Sequence, residues 1–170
     1  DAFARATERT PDGAPSSLEF RKFLTAVEKG NEQGVRDYLQ KYPHEIDKTG
    51  PRDWTALYVA VTYQQHKIME TLLQNGACVD KKNGSGDTPL FMALLKEDRA
   101  ATLILLDHGA DPEEPCGLAP PMTPFDYAHV LKELNGQPEF LELLEQQPAR
   151  REQVAREKER RQAEEQEKFR

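Results

Sequence analysis

"DTPLFMALLKEDRAATLILLDHGA", residues 87–110, decides how this chain folds, because a closely matching text, "WTALYVAVTYQQHKIMETLLQNGA", already stands at 54–77. The two copies end on Gly76 and Gly109, 33 residues apart. A fixed period of this size is the signature of a repeat architecture in which each unit buries its apolar face on its neighbours. Each part of the unit has a physical role. Thr88 caps a first helix through its hydroxyl, and Pro89 follows where a missing amide hydrogen is harmless and its fixed φ already suits a helix. Thr55 plays the same part with Ala56 in the proline's place. Leu57 and Leu90 point inward, Ala60 and Ala93 let neighbouring helices approach closely, and Leu72-Leu73 and Leu105-Leu106 form the buried stripe of a second helix. Gly76 and Gly109 close that helix in a left-handed conformation, which costs glycine nothing and most other residues about 1 kcal/mol.

Working outward, Phe20, Phe23, Leu24 and Val27 fall at helical spacing, "EKGNEQG" interrupts, and Val35, Tyr38 and Leu39 resume the pattern. This is a degenerate copy over about 20–49, whose Gly-Ala ending has become "KYPHEID". A further copy restarts at "MTPFDYA", closes at "FLELL" over about 117–147, and carries a few extra residues around "LNGQP". Degenerate end copies are expected, since an end unit presents a polar outer face in place of another repeat. The remaining units span about 50–82 and 83–116. Residues 1–17, with Pro11, Gly13, Pro15 and Ser16-Ser17, read as a flexible lead-in.

These units resemble ankyrin repeats: a hairpin, Thr-Pro-Leu-His, an Ala pair, a Leu-Leu helix and then Gly-Ala. The resemblance covers roughly 18–147 and implies an all-α solenoid of about four helix-turn-helix repeats with short hairpin loops. One departure is consistent. Where the family has His, this chain has Leu24, Tyr58, Phe91 and Asp126, so the hydrogen bond from that His into the hairpin is absent or replaced.

After Pro148 the text changes to "ARREQVAREKERRQAEEQEKFR". Glu152 with Arg156, Glu157 with Arg161 and Glu164 with Lys168 are i,i+4 pairs in the favourable order, so 148–170 reads as a charged helical tail. Its apolar residues do not sustain the a/d seam of a coiled coil, so a monomer is expected, with tail-mediated dimerisation as the alternative. The chain starts on Asp1 rather than Met and reads as a processed form or a piece of something longer.

Composition narrows the function. A formal net charge of −7 argues against general binding to nucleic acid or an anionic membrane, because phosphate neutralisation needs clustered Lys and Arg. No apolar run approaches the roughly 20 residues that span a bilayer. Cys78 and Cys116 form no metal or disulfide pattern, and a reducing, cytoplasmic setting is favoured. None of His44, His66, His108 and His129 has a second His or a Cys at i+3 or i+4, so no metal or other cofactor is expected. "GSGD" at 84–87 lacks the lysine of a phosphate loop, no G-x-S-x-G elbow occurs, and neither cysteine has a neighbouring His. The sequence reads as non-enzymatic.

Stacked repeats curve and expose an extended concave surface, which the resemblance builds from hairpin tips and first helices. Trp54, Asp87 and Met122, each preceding a capping Thr, are assigned to the tips. Thr62 with Tyr63, and Leu95 with Lys96, face the same groove from the ends of the first helices. Trp54 is the chain's single Trp, and with Tyr63 and the flanking Arg52 it forms the leading anchor, since rigid aromatics and Arg dominate interface energetics. The alternative folds Trp54 back onto its own hairpin. The chain thus reads as a protein-binding scaffold or adaptor module whose acidic balance favours a basic partner. The rival reading is a regulatory or substrate-targeting segment of a larger enzyme or channel.

Overall fold

A computed structural model describes residues 15–117 and 120–148 and, beyond these, Arg156, Arg160 and Ala163. Eight α-helices occur among the described residues: α1 (Ser17–Lys29), α2 (Glu32–Lys41), α3 (Ala56–Thr62), α4 (His66–Gln74), α5 (Pro89–Leu95), α6 (Arg99–Asp107), α7 (Pro124–Asn135) and α8 (Glu139–Glu145). Each odd helix packs on the even helix after it. The odd helices also stack on one another in one row and the even helices in a second. This is the helical repeat solenoid that the 33-residue period implies.

The starts of the first helices follow from side-chain chemistry. The hydroxyls of Thr55, Thr88 and Thr123 accept from the backbone N–H of Tyr58, Phe91 and Asp126 at 3.1, 3.3 and 3.0 Å. Pro89 and Pro124 open α5 and α7. Gly76 and Gly109 follow α4 and α6 with φ of 91° and 89°, the left-handed closure that their spacing predicts. The core is a single cluster in which Val27, Val35, Leu72, Leu90 and Leu105 are wholly buried.

Neighbouring units are also tied by polar contacts at the repeat spacing. The Asp47 carboxylate accepts from the Cys78 N–H at 2.9 Å, and Asp80 does the same for Asp111 at 3.0 Å. The hairpins join edge to edge, with Gly84 N–H donating to the Arg52 carbonyl at 2.9 Å and Gly117 N–H to the Gly86 carbonyl at 3.2 Å. In the fourth repeat the extra residues around "LNGQP" lengthen the first helix, which runs to Asn135 before Gly136 closes it at φ 65°.

The N-terminal edge differs from the sequence reading. Helix α1 starts at Ser17, inside the stretch assigned to a lead-in, because Ser16 and Glu19 form a reciprocal capping box. The Ser16 hydroxyl accepts from Glu19 N–H at 3.2 Å while the Glu19 carboxylate accepts from Ser16 N–H at 3.0 Å. Glu19 is also the hub of the first repeat, taking Lys41 Nζ at 2.6 Å and the Tyr42 hydroxyl at 2.9 Å. The Lys41 ammonium, then the Ser16 N–H, outweigh the opposing effect of burial and hold the Glu19 carboxyl down to about 2. A lowered folded-state value contributes stability that is present above the usual carboxylate range and disappears as pH falls through the folded value. Between pH 4.5 and 2 the melting temperature of the wild type is therefore expected to fall more steeply than that of Glu19→Gln, read by circular dichroism across that range. Residues 1–14 of the lead-in lie outside the described residues. Of the charged tail beyond Pro148 only Arg156, Arg160 and Ala163 are described, all helical and exposed.

Candidate functional site

The hairpins set the geometry. Gly50 N–H donates to the Trp54 carbonyl at 2.9 Å, Asn83 N–H to the Asp87 carbonyl at 3.0 Å, and Cys116 and Met122 exchange two bonds of 2.9 and 2.8 Å. Trp54, Asp87 and Met122 therefore stand on the returning arms and not at the tips, which corrects the sequence assignment. Cross-pairing places each of them opposite a residue four to six positions earlier, and the chain reverses between. In the first hairpin the reversal falls on Arg52 and Asp53, both left-handed at φ 62° and 56°. Neither is a glycine, so this turn holds strain of about 1 kcal/mol or more per residue, the kind that collects at ligand clamps.

Behind this tip a cleft of about 410 Å³ opens between α1 and α3, lined by Arg21, Leu24, Thr25, Glu28, Pro51, Arg52, Trp54, Val59 and Tyr63. Gly50 lets the hairpin lie close: a Cβ there would come within 2.6 Å of Leu24 Cδ1. Trp54 forms one wall. Its ring packs against Tyr58 with centroids 5.2 Å apart, and the Arg52 guanidinium lies over the ring, 5.8 Å from its centroid. Trp54 is half-buried against the core and still faces the cleft. Tyr63, 46% exposed, stands free at the far end.

The seven residues singled out from the sequence do not converge on one place. Arg52, Trp54 and Tyr63 share the cleft. Thr62 is turned inward along its helix, its hydroxyl donating to the Tyr58 carbonyl at 2.8 Å. Asp87 is half-buried in the second hairpin; burial pushes its carboxyl up while the Gly117 N–H pulls it down. Leu95 and Lys96 occupy the equivalent place one repeat further on, both exposed, Leu95 at 42%. Reading from the sequence missed Arg21, Leu24, Thr25 and Glu28 on α1. No glycine marks the equivalence in the sequence; the left-handed Gln64 that ends the first-to-second-helix turn corresponds to Gly30, which aligns Glu28 with Thr62 and Leu24 with Tyr58.

The family's His position carries no hairpin bond here. The Tyr58 hydroxyl is buried with no hydrogen-bond partner among the described residues, and burial, then the nearby Asp87, keep it protonated far above the usual phenol range. Phe91 packs on Tyr127 at 5.4 Å, and Asp126 accepts from Thr123 N–H at 3.1 Å in its own cap. Hairpin-to-hairpin backbone bonds do the holding instead.

Most of the groups that chemistry could recruit are otherwise engaged. His66 Nε2 lies 2.7 Å from Asp98 Oδ2, and His108 Nδ1 is 2.8 Å from the Ile104 carbonyl. His129 meets the Phe125 ring edge-on at 5.0 Å. Cys116 is buried 3.3 Å from the Thr88 hydroxyl, its thiol pushed up by burial, and Cys78 is exposed and free. No group of three or more His, Cys, Asp or Glu side chains suited to a metal occurs among the described residues. No helix among them is long and apolar enough to cross a membrane.

Strain at the tip gives a direct test. Arg52→Gly relaxes a left-handed position and is expected to leave stability unchanged or raise it by less than about 1 kcal/mol. Arg52→Val forces a β-branched side chain into the same conformation and is expected to cost about 1–2 kcal/mol. Thermal unfolding of the two variants reads this difference, and equal melting temperatures would remove the claim of strain.

Comparison with known proteins bears on the same repeats. A family model described as ankyrin repeats (3 copies) matches residues 23–115, more than half of the chain. The fowlpox virus ankyrin repeat protein FPV031 is 32% identical over 97 residues, 55% of this chain and 28% of its own. A second fowlpox virus ankyrin repeat protein, FPV022, is 30% identical over 88 residues, 52% of this chain and 15% of its own. The human ankyrin repeat and SOCS box protein 9 is 31% identical over 107 residues, 59% of this chain and 34% of its own. The chain thus spans about a third or less of the length of the relatives it matches.

Proposed function

This chain belongs to the ankyrin-repeat family, whose repeats generally bind protein partners, and we propose that it is a non-catalytic module gripping an extended protein segment in the cleft between its first two repeats. The observation that carries this reading is the meeting of Trp54, Tyr63 and Arg52 in one open cleft. An aromatic wall, an exposed phenol and a guanidinium are the side chains that most often dominate binding, because each buries a large area while keeping a polar contact. Affinity from a few such anchors suits a scaffold or adaptor. The net charge of −7 favours a partner that is basic overall, which it attracts at long range. The free, exposed Cys78 fits a cytoplasmic setting.

A second reading has its own support. The relatives are all longer than this chain, from roughly twice to roughly three and a half times its length, and the human one is named for a SOCS box as well as its repeats. The cleft would then recruit a substrate or regulator for the rest of a longer protein, by the same contacts.

The test compares wild type with Tyr63→Ala and Arg52→Gly as bait for partners, because neither substitution removes core packing. Partner retention is expected to fall at least tenfold for each, with unchanged circular dichroism. Retention of every partner by both folded variants would move the binding surface elsewhere. Trp54→Ala is a weaker probe, since it also strips packing from Tyr58.

A further inference from the structure

The cleft is polarised along its length. At the hairpin end stand two guanidinium groups, Arg21 from the first turns of α1 and Arg52 from the strained tip. At the other end stand the Glu28 carboxylate and the Tyr63 hydroxyl. Between them the floor is apolar: Leu24, Val59 and the Trp54 ring. Asp53, beside Arg52 on the tip, does not cancel this charge, because its carboxylate turns toward Gly84 of the next hairpin. Arg21 and Glu28 are seven residues apart on one helix, so at 1.5 Å per residue their backbones are separated by about 10 Å along its axis. A peptide extended in the polyproline II conformation, with three residues per turn and a rise of about 3.1 Å, returns the side chains at i and i+3 to one face about 9 Å apart.

We propose that the cleft reads a short extended segment in which a carboxylate side chain and a cationic side chain lie three residues apart with a large apolar side chain between them. This rests on the cleft being the binding surface and names what that surface selects. The ligand carboxylate meets the Arg21 and Arg52 forks, which suit a planar two-oxygen group. Its cation meets Glu28, with Tyr63 accepting beside it. The apolar side chain lies on Leu24, Val59 and the face of Trp54. Because the ends are opposite in sign, a segment with two acidic or two basic ends places one like charge against the protein and is rejected. Long-range attraction of a basic partner and local selection of an acid–apolar–base segment are compatible, since the first acts through net charge and the second through three or four side chains.

Trp54 is the chain's single Trp, so its emission reports occupancy of the cleft directly. The full chain is titrated with four capped peptides of common length and Gly-Ser flanks, whose central four residues are Glu-Leu-Phe-Lys, Gln-Leu-Phe-Gln, Glu-Leu-Phe-Glu and Lys-Leu-Phe-Lys. The Glu-Lys peptide is expected to bind at least tenfold more tightly than any of the others. Arg52→Gly and Glu28→Gln are each expected to cut that preference at least threefold, with unchanged circular dichroism. If the Gln-Gln peptide binds as tightly as the Glu-Lys peptide, or if the preference survives both variants, the charge reading is overturned and the cleft reading stands. If no peptide changes Trp54 emission up to 1 mM, the cleft reading falls with it.

Discussion

Leu90→Ala is expected to remove about 3 kcal/mol of stability, because Leu90 is wholly buried at the centre of the stack and its neighbours cannot collapse into the void. It stands on α5, which packs on α3, α6 and α7 at once, so the cavity touches three repeats. For a domain of this size that loss lowers the melting temperature by roughly 10 °C. In a solenoid, stability is close to a sum of repeat and interface terms, so a defect in the middle also weakens the coupling between the two halves. A broader, less cooperative unfolding transition should accompany the shift. Leu134→Ala is the control: Leu134 is 78% exposed on the lengthened α7, and its removal should change stability by no more than about 0.5 kcal/mol. Similar losses from both variants in chemical denaturation would contradict the packing described.

Asp98→Ala is expected to cost about 2–3 kcal/mol, because one carboxylate serves two partners from a nearly buried position. Its Oδ1 accepts from Ala101 N–H at 3.0 Å, capping α6, while Oδ2 lies 2.7 Å from His66 Nε2 at the start of α4. The Asp98 side chain is only 5% exposed against 40% for His66. Burial works to raise the Asp98 carboxyl, but His66 and the Ala101 N–H outweigh it and hold it below the usual carboxylate range. Alanine removes the acceptor and leaves the Ala101 N–H buried with no partner. Asp98→Asn keeps an acceptor for the cap and gives up the charge, so it should lose less than half as much. A double-mutant cycle with His66→Ala at pH 7 separates cap from pair. The His66 change should matter in the wild type and become nearly silent beside Asp98→Ala.

Much of this architecture was written locally. The Thr caps, the Pro at the first helical position, the paired leucines and the Gly closures are properties of neighbouring residues, so their spacing placed α3 to α6 without any long-range information. Ser16 and Glu19 carried an equally local capping signature, yet the Ser- and Pro-rich text before it masked the start of α1. The left-handed turns at Arg52, Asp53, Gln64 and Glu97 were not legible, because none is a glycine and tertiary contacts hold them. Gln65 illustrates the point: its side-chain N–H donates to the Glu28 carbonyl 37 residues back at 2.9 Å. Half of the cleft was legible for the same reason. Trp54, Tyr63 and Arg52 declare themselves by residue type, whereas Leu24 and Glu28 look like ordinary helix residues until α1 is set beside α3. Asp47 and Asp80 share one place in the repeat, 33 residues apart, and that coincidence could have pointed to their inter-repeat bonds.

The central claim is that partners engage the side built from the hairpins and first helices. A photo-crosslinking side chain placed singly at Tyr63 and Leu95 on that side, and at Gln40 and Gln74 on the exposed second helices, tests it in one experiment. The predicted result is a partner adduct from Tyr63, a weaker one from Leu95, and none from Gln40 or Gln74. Adducts from Gln40 or Gln74 with none from Tyr63 would contradict the account and place recognition on the second row of helices.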